Sequence, residues 1–134
     1  MATATATRNA ALHAEALAAA QAAAEAVVPT PMLVTQRENP WDDTSPIVKA
    51  YRVAGGACGM ASVIIRPATS SYARWLAKNE VGYRHYYGGW AVPARPDVPG
   101  ALIQSSEINA AWARGYARVL RENGIEVRVE TRLD

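Results

Sequence analysis

The sequence predicts an α+β fold: a ferredoxin-like pair of β-α-β units on an antiparallel sheet, preceded by an Ala-rich N-terminal helix. Three observations lead there. Residues 125–133 alternate apolar and charged side chains without a break, two amphipathic helical segments match each other at an offset of 44, and β-branched runs flank both helices. The expected organisation is a helical arm over 1–28, a Pro-rich connector over 29–46 and the α+β domain over 47–134.

The arm is expected to be helical over residues 9–28, where alanine, the strongest helix former, dominates. Thr7 or Asn9 supplies a cap, and Pro29 and Pro31 end the helix. Its large apolar residues are few, Leu12, Leu17 and Val28. A helix so poor in burial either docks its smooth surface closely on another helix, in this chain or a second copy, or serves as a tether. Pro29, Pro31, Pro40 and Pro46 punctuate the connector, with a short strand at Met32 to Thr35 and turn chemistry around Trp41.

In the domain, residues 47–53 read as a strand broken by Gly55 and Gly56. The β-branched run from Cys58 to Arg66 fits a central strand, which Pro67 stops. The next helix places Tyr72, Trp75 and Leu76 on one side, and residues 88–93 return as a strand ending at Pro93. The second unit is expected to begin with a short strand at 101–104, capped at Ser105 or Ser106. It continues as a helix burying Ile108, Trp112, Tyr116, Val119 and Leu120 up to the Asn123-Gly124 stop. In the last strand Ile125, Val127, Val129, Thr131 and Leu133 face inward, and Glu126, Arg128, Glu130 and Arg132 outward. Between the helices, Tyr72, Ala73, Arg74, Leu76 and Asn79 recur identically at Tyr116, Ala117, Arg118, Leu120 and Asn123, and Val81 answers Ile125. Shared element order on both sides favours a β-α-β repeat over coincidence.

Composition narrows the function classes. Residues 1–46 carry two basic and five acidic side chains, and residues 47–134 twelve basic and seven acidic, for a net charge of +2. Twelve of the fourteen cations are arginine, whose planar fork suits phosphate and aromatic faces; an arginine bias also follows from a GC-rich genome. One cysteine, Cys58, precludes an internal disulfide, and its strand context reads as a small core residue rather than a nucleophile. His13 and His85 are far apart, and no local motif supports a triad, a metal hydrolase, a Walker loop or a dinucleotide fold. An enzyme is therefore disfavoured, and neither a metal nor a cofactor is expected. No segment has the roughly 20 apolar residues of a membrane span, and the first residues do not read as a secretion signal, so a cytoplasmic location in the host cell is expected.

Two constellations carry binding chemistry. Tyr83, Arg84, His85, Tyr86, Tyr87 and Trp90 gather four aromatic rings, an Arg and a His within a glycine-framed segment. Such a cluster suits a nucleotide-like ligand, stacked and held by a guanidinium; the plainer reading is a helix-to-strand loop whose rings cover the sheet edge. Arg114, Arg118 and Arg121 form a basic row on the last helix, matched by Arg74 on the earlier one, and are candidates for phosphate contact or simply a solvated face.

The segments Gly55-Gly-Ala-Cys-Gly-Met-Ala-Ser-Val-Ile-Ile-Arg-Pro-Ala, Tyr86-Tyr-Gly-Gly-Trp and residues 116–134 resemble a group of small phage and prophage proteins of unassigned function, over about residues 50–134. The resemblance implies a phage or mobile-element setting and supplies no catalytic residue. The expectation is thus a non-enzymatic, self-associating module that binds a nucleotide-like small molecule, in that setting placed to sequester a host-defence signal. The alternatives are a single-stranded nucleic-acid binder and an inhibitor or scaffold of a host protein.

Overall fold

A computed structural model describes residues 3–134. The chain is α+β. Helix α1 (Ala4–Ala26) starts earlier than expected, because Thr3 rather than Thr7 or Asn9 is the cap: its side chain accepts the Ala6 N–H. Strands β1 (Met32–Arg37) and β2 (Ile47–Val53) form an antiparallel ribbon of their own. A four-stranded antiparallel sheet is built from β3 (Gly59–Ile65), β4 (Tyr83–Arg84), β5 (Trp90–Pro93) and β6 (Val127–Leu133), in the order β4-β5-β3-β6. Helix α2 (Ser71–Lys78) connects β3 to β4, and α3 (Ser106–Glu122) connects β5 to β6.

The expected strand at 101–104 is not formed. Gly100–Leu102 make a single 3-10 turn in which the Leu102 N–H donates to Pro99 O, and Ser105 caps α3. The prolines at 96 and 99 leave too little chain for a ladder before that cap. Cys58 also differs from its expected core position: it precedes β3 and is exposed.

Residues opposite each other in an antiparallel sheet share a face. Ala61, Val63 and Ile65 of β3, Val92 of β5, and the half-buried Val127 and Val129 of β6 face α2 and α3, where Leu76, Ile108, Tyr116 and Leu120 complete the core. Thr131 and Leu133 lie on the same side by register, but Leu133 is 67% exposed, contrary to the inward expectation. Burial of β6 therefore ends at Val129, and the rest of the strand runs on without cover from the core.

The match at offset 44 extends to hydrogen bonds. Val81 N–H donates to Leu76 O at 2.9 Å, and Ile125 N–H to Leu120 O at 3.0 Å. Asn79 and Asn123 each turn their side-chain amide back onto the carbonyl four residues earlier, Trp75 and Val119, at 2.8 Å. Glu80 takes the left-handed conformation (φ 59°) that its counterpart Gly124 (φ 76°) takes more easily.

The Ala-rich helix docks within this chain, on α3. Ala16, Ala20 and Ala24, one turn apart, are the buried stripe, while Leu17 and Val28 stay exposed. Gly115 explains why alanines serve here. A β-carbon at that position would lie 2.8 Å from Ala19 O and 3.1 Å from Ala20 Cα, so the two backbones approach as closely as side-chain-free contact permits.

Candidate functional site

The sheet has one face covered by helices and one without them. Across the second face the register aligns Tyr83 of β4, Ala91 of β5, Ile64 of β3 and Arg128 of β6, with Glu130 and Arg132 further along β6. The loop between β4 and β5 closes on this face. Gly89 makes that possible: with φ at 94°, any β-carbon would fall 2.8 Å from Ile65 O. Arg66 holds the loop by donating to Gly88 O and Tyr87 O at 3.3 and 3.4 Å.

The structure divides the predicted aromatic cluster into two sets. Tyr83, Tyr86 and Tyr87 are 51%, 90% and 78% exposed, and the last two rings meet edge to face at 4.9 Å. They are free to stack. Trp90 and His85 are instead built into the fold. The Trp90 Nε1–H donates to Val81 O at 2.7 Å and the ring packs against the core. His85 is buried; its Nδ1 accepts the Tyr87 N–H at 3.2 Å, which leaves Nε2 as the nitrogen facing Glu130, 3.2 Å away. Arg84 pairs with Trp90 across β4 and β5 and so falls on the helix side, away from the tyrosines. The cation in register with Tyr83 is Arg128, which sequence reading placed on the outer face of a strand without connecting it to the cluster. The alternation of β6 was the available signal; the partner strand was not.

The arginine row does not join this face. Arg118 pairs with Glu122 at 3.1 Å, Arg121 donates to Val127 O at 3.3 Å, and Arg74 and Arg114 are exposed on the helix layer behind the sheet. Glu107, in the first turn of α3, accepts the Thr30 N–H rather than pairing with this row.

A cleft of about 710 Å³ opens elsewhere, between the first half of α1, the β3–α2 connection and the turn before β6. Its charged lining, Arg8 and Arg66 against Glu15 and Glu126, balances to zero, and Arg66 is already engaged by the loop. It presents no field that selects an anion.

Behind the sheet, a polar cluster ties the three helices together. Tyr72 and Tyr116, equivalent positions of the repeat, bring their hydroxyls to 2.6 Å, and Tyr116 OH lies 2.8 Å from His13 Nδ1. With His13 neutral, Tyr72 O–H donates to Tyr116 and Tyr116 O–H donates to His13, so both protons are satisfied. Burial lowers the His13 pKa below its ordinary 6.5 and pushes that of Tyr72 up to about 12; Tyr116 moves upward for the same reason, reinforced by Tyr72. A histidine depressed in the folded state contributes stability that is complete above pH 6.5 and is lost as pH falls through its lower folded value. The raised tyrosines contribute stability that is complete below pH 10 and lost above it. Melting curves between pH 5 and 8 should show stability falling on the acid side, and His13→Phe should flatten that slope. An unchanged slope would exclude His13 as its source.

Among the described residues no group of three or more His, Cys, Asp or Glu could hold a metal ion, and no helix is long and apolar enough to cross a membrane. No protein-family model, curated protein or solved structure matches the chain.

Proposed function

We propose that this is a non-enzymatic binding module that takes single-stranded nucleic acid on the helix-free face of its sheet. The strand order, with α2 and α3 on one side, supports a ferredoxin-like pair of split β-α-β units, which leaves the second face free of helices. Ile64 and Ala91 at the centre of that face are buried, so the accessible surface is the rim formed by Tyr83, Tyr86, Tyr87, Arg128 and Arg132. The observation that carries the reading is the exposure of Tyr83, Tyr86 and Tyr87 on or beside a face that also bears Arg128 and Arg132. Exposed rings next to guanidinium groups suit successive bases and their phosphates. Small-molecule sites, in contrast, enclose most of their ligand, and rings that are 78–90% exposed enclose nothing. The reading therefore favours a strand over a free nucleotide, while keeping the tyrosines as the recognition element.

Fluorescence anisotropy with labelled DNA and RNA oligomers tests it, with calorimetry against mono-, di- and cyclic nucleotides on the same samples. Tyr86→Ala and Tyr87→Ala should each weaken oligomer binding about five- to 150-fold, at roughly 1–3 kcal/mol per stacked base, without moving the melting temperature. Arg128→Ala should also reduce the dependence of affinity on salt. Tight binding of a nucleotide with no gain for oligomers would restore the small-ligand reading. Binding of neither would leave a protein partner as the function.

A further inference from the structure

Strand β6 is an edge strand, seven residues long and paired only with β3. Arg66 N–H donates to Glu126 O, and Asp134 N–H to Cys58 O. These bonds orient the backbone groups of the even-numbered residues toward β3, so those of Val127, Val129, Thr131 and Leu133 point away from the sheet. Of these outward groups Val127 O already accepts from Arg121 and keeps a second lone pair; the edge is otherwise a template for another strand, and natural proteins rarely leave one this long without a cover or a partner.

We infer that the partner is β6 of a second copy, paired antiparallel about a two-fold axis at Val129. The sequence of the strand carries the argument. Centred there, Glu126 faces Arg132 of the other copy, Arg128 faces Glu130 and Val127 faces Thr131. The four charged residues from Glu126 to Arg132 each meet an opposite charge, and each pair occurs twice by symmetry. Centring on Arg128 opposes that residue to itself and Glu126 to Glu130, and centring on Glu130 opposes that residue to itself and Arg128 to Arg132, which is destabilising across strands. An odd-numbered centre also makes Val129 and its flanking odd residues the hydrogen-bonded pairs, the geometry their outward backbone groups require. The product is one continuous eight-stranded sheet with both helix layers on the same side. The inference concerns assembly alone and stands whether or not the sheet binds nucleic acid.

The test is the mass of the full chain in solution without ligand, by sedimentation equilibrium across concentration. Twice 14.4 kDa is expected. Glu126→Arg, which sets Arg against Arg132, should weaken the dimer at least about tenfold, as should Arg132→Glu. The double exchange of these two residues should restore it, because the pair is then merely reversed. Circular dichroism and melting of each variant separate loss of assembly from loss of fold. A monomer at every concentration would overturn the inference, as would a dimer that the single reversals leave intact or the double reversal fails to rescue.

Discussion

Gly115→Leu is expected to lower stability by about 2–4 kcal/mol, on the order of 10 °C in melting temperature, and to loosen α1 from the body. The β-carbon alone already meets Ala19 O at 2.8 Å and Ala23 Cβ at 3.0 Å, and both obstacles belong to the facing helix. Neither a rotamer change nor a side-chain shift relieves a clash with backbone, so the helices must separate. Separation uncovers Ala16, Ala20 and Ala24 together with the face of α3 they cover. Differential scanning calorimetry, with Arg118→Leu on the solvated side of the same helix as control, measures the effect. Limited proteolysis at the segment before β1 gives a second readout, since an undocked α1 is released first. Were residues 1–28 a free arm, Gly115 would face solvent and the leucine would be tolerated. A change in melting temperature within about 1 °C of the control would establish that.

Tyr116→Ala should cost about 3–5 kcal/mol, comparable to the whole margin of a small domain. The ring is fully buried and stacked on Trp112 at 5.4 Å, and its hydroxyl is the middle of the chain joining His13 to Tyr72. Truncation opens a cavity the size of the ring and removes the hydroxyl that links Tyr72 to His13. Tyr116→Phe separates these contributions. It keeps the ring and removes only the hydroxyl, and Tyr72 OH, already 3.4 Å from His13 Nδ1, can then bond the histidine directly. The expected loss is about 1 kcal/mol. Chemical denaturation of both variants checks the contrast: near-equal losses would mean that the hydroxyl network, not the packing of the ring, dominates.

The α+β class, the helical segments and the strand of alternating charges were legible in the letters, because those features depend on local periodicity. Residues 106–122 and 125–133 announce which side they bury at periods of 3.6 and 2. The duplication at offset 44 was equally legible, and its physical content reaches to the paired amides of Asn79 and Asn123. Where sequence reading failed, a long-range contact had overridden a local signal. Ala16, Ala20 and Ala24 carry so little apolar area that they do not identify a buried stripe. They become one only because a glycine 91 residues beyond Ala24 lets the backbones approach. The strand expected at 101–104 became a turn between Pro99 and the α3 cap, and only its end at Ser105 makes a single bridge, to Cys58.

The candidate site divides along the same line. Composition was enough to single out the aromatic segment, since five ring- or charge-bearing residues between Gly82 and Gly88, followed by Trp90, stand out in any order. Which of them are available was decided by the register of β4, β5, β3 and β6. Two-residue β4 sends Arg84 to the helix side and Tyr83 to the open side, the core claims Trp90, and Glu130 from the far strand claims His85. The same register brings Arg128 into line with Tyr83 from 45 residues away. Periodicity determines what a segment can bury and expose by itself. The identity of the neighbour across the sheet or across the helix pair is a property of chain closure, and no local pattern encodes it.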